Sequence, residues 1–83
     1  MISKEMTYEK NRFTAYDAEK VVKAASIYKC DLFLLAGERR ANMKSLIGLI
    51  STQLKAGELF FLVADGKDEQ VALDAITELF TAI

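Results

Sequence analysis

The feature that most narrows the fold is a pair of short runs that are apolar without interruption, Leu32–Ala36 and Leu59–Ala64. Neither approaches the roughly 20 apolar residues that cross a bilayer, so both read as strands that are apolar on each face. If Leu32, Leu34, Phe60, Leu62 and Ala64 point to the core, alternation sends Phe33, Leu35, Leu59, Phe61 and Val63 the other way. Such a chain must cover one face of its sheet with helices and leave the other face unusually apolar. With 83 residues there is room for one small domain, which buries only about 60–65% of the surface that its unfolded chain exposes.

The remaining pattern supplies the helices. Ile2–Tyr8 alternates Ile2, Met6 and Tyr8 with Ser3, Glu5 and Thr7 and reads as a strand, although Lys4 breaks the period. Thr14-Ala15-Tyr16-Asp17 sets a hydroxyl and an acid three residues apart, a variant capping box, so a helix should start there. Its apolar stripe is Ala18, Val21, Val22, Ala25 and Tyr28, which carries it to about Lys29. Gly37-Glu38 turns Leu32–Ala36 into Arg39–Met43 as a tight hairpin. Ser45 caps a short helix that runs to about Leu54 and stops before Gly57. Glu58–Ala64 is the last strand, and Asp65-Gly66 leads into a final helix with Asp68 and Glu69 at its start. Val71, Ala72, Ala75, Ile76, Leu79, Phe80 and Ile83 form its expected buried face. The order is βαββαβα, an α+β open-faced sandwich in which three helices cover one face of a four-stranded antiparallel sheet.

Composition excludes several function classes. Eleven basic and twelve acidic side chains leave a net charge of −1, with no basic excess to neutralise phosphates, which argues against nucleic acid or a membrane surface as partner. There is no histidine, so no Ser-His-Asp or Cys-His pair, no imidazole metal site and no phosphohistidine relay can form. No metal or cofactor is expected, and the protein is read as a non-enzyme. Cys30, the single cysteine, cannot close an internal disulfide, and charges within Met1–Lys10 argue against a leader peptide. A cytoplasmic location follows as an expectation.

The chain resembles the HPr family, the histidine-containing phosphocarriers of the bacterial sugar phosphotransferase system. Four stretches carry the resemblance: Ala24-Ala25-Ser26-Ile27-Tyr28 with Asp31, Asn42–Leu49, Lys55-Ala56-Gly57-Glu58, and Asp65-Gly66-Lys67-Asp68-Glu69 running into Ala72-Leu73. The resemblance implies that Ser45 falls on the family's regulatory serine, which a dedicated kinase phosphorylates to control carbon-source gene expression. It also implies that Thr14 stands where the family has its active histidine, followed there by alanine, arginine and proline. A threonine hydroxyl needs a base to attack, and its phosphate ester is not readily handed on. Tyr16 replaces a cation and Asp17 adds a repelling charge, so phosphorelay at this position is expected to be lost.

Most singled-out residues also have a plainer reading. Thr14 and Ser45 serve as N-caps, Tyr16 and Asp17 as exposed first-turn residues, and Cys30 as a small filler. Too many apolar side chains crowd the Ser45 helix for all to point inward. The resemblance puts Leu46, Ile47, Ile50 and Ser51 beside Thr14 and Tyr16 on a protein-docking face, one that a serine kinase or a transcriptional regulator would meet. Gly48 costs a helix interior about 1 kcal/mol relative to alanine, which suggests close packing. Arg39, Arg40 and Lys44 look like a small basic cluster. The family topology sets the two doubly apolar strands side by side, so Phe33, Leu35, Leu59, Phe61 and Val63 merge into one patch suited to a homodimer or a permanent partner. Three functions therefore stay open: a regulatory or interaction protein without phosphotransfer, an altered phosphocarrier using Thr14 or Ser45, and an assembly subunit acting through the sheet.

Overall fold

Seven elements alternate in the expected order: β1 (Ile2–Thr7), α1 (Ala15–Ala25), β2 (Asp31–Ala36), β3 (Arg39–Asn42), α2 (Leu46–Thr52), β4 (Leu59–Asp65) and α3 (Glu69–Ala82). They come from a computed structural model that describes residues 1–82. Ile83, expected on the buried face of the last helix, lies outside the described residues. The sheet is antiparallel throughout, in the order β1-β4-β2-β3. The two doubly apolar strands are thus its central pair, where each has neighbours on both edges.

The core lies between the sheet and the helices. Leu32, Leu34, Ala36, Phe60, Leu62 and Ala64 project into it and are fully buried. They meet Ala18, Val21 and Ala25 from α1, Leu49 from α2, and Ala72, Leu73, Ile76 and Phe80 from α3. One end of this core is aromatic. Phe60 and Phe80 lie 5.2 Å apart between centroids, Phe13 stacks on Phe80 at 5.9 Å, and Tyr8 sits edge-on to Phe13 at 6.0 Å. The Tyr8 hydroxyl donates to the Arg12 carbonyl at 3.1 Å, which pins the segment between β1 and α1 on the aromatic cluster.

Four expectations are corrected. The helix expected to reach Lys29 ends at Ala25, because the Tyr28 amide turns to the Ala25 carbonyl three residues back and Asp68 captures the amides of Lys29 and Cys30. Tyr28 therefore packs against the core from a turn. The helix expected to reach Leu54 ends at Thr52, since Gln53 adopts the left-handed conformation with φ +48°. Val71 is 63% exposed and Leu73 takes its place in the core; the stripe 72, 73, 76 and 80 leaves position 71 on the flank of the helix. Arg39, Arg40 and Lys44 form no cluster. Arg39 donates to the Ala36 and Thr52 carbonyls and pairs with Glu58, Arg40 lies over the Phe33 ring at 4.2 Å, and Lys44 donates to the carbonyls of Tyr28 and Cys30.

The turn before α3 needs its glycine for space. A Cβ on Gly66 would come within 2.7 Å of both Cα and Cβ of Cys30, far inside contact distance. The same contact buries Cys30, and burial pushes its thiol pKa up, followed by the effect of Asp68. A protonated, enclosed thiol is a packing group rather than a reactive one.

Candidate functional site at two helix caps

Thr14 begins α1 in extended conformation, and its hydroxyl accepts the Asp17 amide at 3.2 Å. The Asp17 carboxylate accepts the Thr14 amide in return, also at 3.2 Å. This is a complete capping box. It places a fixed anion on the positive end of the helix dipole and occupies two of the amides at the helix start, those of Thr14 and Asp17. Tyr16, two residues on, is 68% exposed and carries the Lys20 ammonium 4.6 Å from its ring centroid. That cation is engaged on an aromatic face rather than held at the Thr14 hydroxyl.

Ser45 begins α2 with the same logic and one difference. Asn42 builds the approach: its side chain accepts the Lys44 amide and its carbonyl accepts the Ser45 amide, each at 2.9 Å. The Ser45 hydroxyl then accepts the Gly48 amide at 3.1 Å. A Cβ on Gly48 would stand 3.1 Å from that same oxygen, so the glycine makes room for the cap itself, which is the close packing its helix position implied. No acid answers Ser45 in the first turn of α2.

The structure sorts the expected docking residues into two groups. Ile47 is 78% exposed, Leu46 and Ile50 are less so, and Ser51 is exposed with its hydroxyl donating back to the Ile47 carbonyl. They line the outer side of α2. Ile50 joins Thr14 in a cleft of about 630 Å³ that is completed by Arg12, Gln53 and Lys55. Ser45, Leu46, Ile47, Ser51 and Tyr16 do not line this cleft. At about 1.5 Å per helical residue, Ser45 begins α2 about 7.5 Å along the axis from Ile50. Thr14 and Ser45 therefore flank one surface rather than share one pocket.

No side-chain pattern places Arg12, Gln53 and Lys55 in that cleft. Arg12 and Lys55 form an isolated antiparallel bridge, and the Phe13 amide donates to the Leu54 carbonyl at 3.4 Å, so backbone pairing brings them to Thr14. Gln53 adopts the left-handed conformation, which a glutamine side chain does not advertise.

The opposite side of the sheet carries no helix among the described residues. Leu59 and Phe61 are 48% and 37% exposed, while Phe33, Leu35 and Val63 are half-buried, with Arg40 lying over the Phe33 ring. Among the described residues no helix is long and apolar enough to cross a membrane, and no group of histidine, cysteine or acid side chains is arranged to hold a metal ion.

A family profile described as the PTS HPr component phosphorylation site matches residues 9–82. The phosphocarrier protein HPr of Lysinibacillus sphaericus is 33% identical over 67 residues, 81% of this chain and 76% of that protein. The HPr-like protein Crh of Bacillus subtilis is 34% identical over 67 residues, 81% of this chain and 79% of its own length. The fold superposes on the histidine-containing phosphocarrier protein of a mycoplasma with a TM-score of 0.94 at 23% identity, covering 98% of this chain and 93% of the other. The sheet order, the two capped helices and the sequence match over almost the whole length converge: this chain belongs to the HPr family of phosphotransferase-system phosphocarriers.

Proposed function

We propose that this chain is a regulatory and docking member of that family that does not relay phosphate from Thr14. The observation that carries the reading is the closed capping box: Asp17 already occupies the helix end that would receive a phosphoryl group, in a chain without any histidine to accept one. A threonine alcohol beside a carboxylate lacks the nucleophilic ring nitrogen, the neighbouring cation and the high-energy N–P bond on which such a relay depends.

The surface of α2 remains suited to partners. Leu46, Ile47, Ile50 and Ser51, flanked by Thr14 and Tyr16, form the contact for a protein partner such as a serine kinase or a transcriptional regulator. Ser45 is the phosphorylation site on this reading: its hydroxyl only accepts a hydrogen bond, so its own hydrogen is free to be replaced, and a phosphate would add about −2 charge at the edge of the docking surface. The protein acts in the cytoplasm and catalyses no reaction itself.

Two incubations test this. With phosphoenolpyruvate and the first enzyme of the phosphotransferase system, no phosphate should appear on the chain. With ATP and a family serine kinase, one acid-stable phosphate should appear, and Ser45→Ala should abolish it. Label from phosphoenolpyruvate on Thr14 that then passes to a sugar-specific acceptor would replace this reading with that of an altered phosphocarrier.

A further inference from the structure

The open face of the sheet carries a charge pattern as well as an apolar centre. Strand register puts Glu5 opposite Phe61, Phe61 opposite Leu35, and Leu35 opposite Arg40. One row across the four strands thus reads acid, apolar, apolar, base. The adjacent row reads Ser3, Val63, Phe33 and Asn42, which is polar, apolar, apolar, polar. Directly paired residues share a face, so all eight side chains belong to the helix-free side. Among the described residues Glu5 has no ion-pair partner in its own chain, and Arg40 lies along the rim of the patch over Phe33.

We propose that this face binds a second copy of the chain, about a two-fold axis parallel to the strands. Such an axis reverses the strand order while leaving each row opposite itself. Glu5 of one copy then faces Arg40 of the other, twice, with Phe61 facing Leu35 and Ser3 facing Asn42 between the same rows. Facing sheets stand about 10 Å apart, a gap that glutamate and arginine side chains bridge together. An axis running across the strands instead lays each strand over its own copy, so Glu5 meets only β1 and Arg40 only β3, and neither charge is paired. The pattern selects one of the two face-to-face arrangements.

The footprint bounds the affinity. Four strands about 4.8 Å apart and about 20 Å long present on the order of 400 Å² per copy, half of the roughly 800 Å² that each partner contributes to a standard interface. Asp31 and Asp65 pair with each other at one end of the face and stand opposite the same two acids of the other copy, which weakens the contact further. The dimer should dissociate on the order of tens of micromolar.

Sedimentation equilibrium on the full chain, from about 1 μM to about 1 mM, reads this directly. Glu5→Arg and Arg40→Glu should each weaken self-association at least about tenfold, with far-UV circular dichroism and melting confirming that both remain folded. Mixed in equal amounts, the two variants should associate again as a heterodimer. The arginine introduced at position 5 of one copy then meets the glutamate introduced at position 40 of the other, and the second contact keeps its native Glu5 and Arg40. The double variant should recover self-association, and Glu5→Gln and Arg40→Gln should give intermediate losses. A wild-type chain that stays monomeric throughout overturns the proposal. So does a dimer that ignores every charge variant, as strand exchange between copies would produce, or a mixture that fails to associate while both variants are folded.

Discussion

Thr14 and Ser45 solve one local problem in two ways, and the contrast is one of charge. Each is a hydroxyl residue in extended conformation that caps a helix by accepting the amide three residues on. At Thr14 the third residue is Asp17, which closes the box with a permanent anion. At Ser45 the third residue is Gly48, which contributes an amide and space but no charge. One end is finished by its own side chains; the other leaves the electrostatics of the helix start to whatever reaches it. On the proposed function, the transfer chemistry is lost at one cap while α2 keeps its exposed apolar side chains.

The largest effect should come from reopening the closed end. Thr14→His with Tyr16→Arg and Asp17→Pro replaces the alcohol by an imidazole, returns a cation and removes the anion, and should raise labelling from phosphoenolpyruvate from background to a stoichiometric, acid-labile phosphate. Thr14→His alone should stay near background, because Asp17 remains on the helix end. Equal labelling of the single and triple variants would show that the carboxylate is irrelevant and break the comparison. Next in size is the exposed helix. Ile47→Asp should weaken binding of a family serine kinase by about tenfold or more, about 1.4 kcal/mol in binding free energy, while changing fold stability by no more than about 0.5 kcal/mol. Titration calorimetry and a urea melt on the same preparation distinguish the two quantities.

Much of this is legible in the sequence. The doubly apolar runs announce the central strands, the Thr14 and Asp17 spacing announces the box, and the exposed crowding of Leu46, Ile47 and Ile50 follows from a helix too short to bury them all. What periodicity does not show are tertiary captures. Tyr28 continues the apolar spacing of α1, yet the helix stops because Asp68, 38 and 39 residues away, holds the amides of Cys30 and Lys29. Arg39 looks like solvent-facing charge and instead ties the hairpin to Thr52 and Glu58. Gln53 turns left-handed with no glycine or asparagine to signal it, and the backbone bridge between Arg12 and Lys55 beyond it brings Lys55 to the cleft beside Thr14. Local patterns locate the caps; distant backbone contacts decide what surrounds them.

The caps themselves should differ in stability. Thr14→Ala removes the hydroxyl that accepts the Asp17 amide and should cost about 1–2 kcal/mol in urea unfolding. Ser45→Ala removes one acceptor from a seven-residue helix and should cost about 1 kcal/mol or less. Asp17→Ala in the Thr14→Ala background should add less than it costs alone, since the reciprocal half of the box is gone while the backbone amide at position 14 and the helix dipole still favour the carboxylate, whereas Ser45→Ala should add in full. Additive losses from Thr14→Ala and Asp17→Ala would mean that the two residues act separately.

The smallest effect concerns acid. The start of α3 relies on carboxylates alone: Asp68 accepts the amides of Lys29 and Cys30 at 2.9 Å, and Glu69 accepts the Gly66 amide at 3.0 Å. The Lys29 amide first, then the other donors, holds the Asp68 pKa below its ordinary value, and the Gly66 amide does the same for Glu69. Because the folded pKa values lie below the unfolded ones, this stabilisation is complete above the ordinary carboxylate range and disappears as pH falls through that range to the folded values. The Ser45 cap carries no titrating group and its contribution stays constant. Melting temperature followed from pH 7 to pH 2 should fall less steeply for Asp68→Asn than for wild type, starting from a lower value at pH 7, because the amide keeps one acceptor and sets a donor against the second backbone N–H. Ser45→Ala should instead run parallel to wild type at every pH. Parallel curves for Asp68→Asn would place the acid sensitivity elsewhere and leave the carboxylate and hydroxyl ends alike in their response to protons.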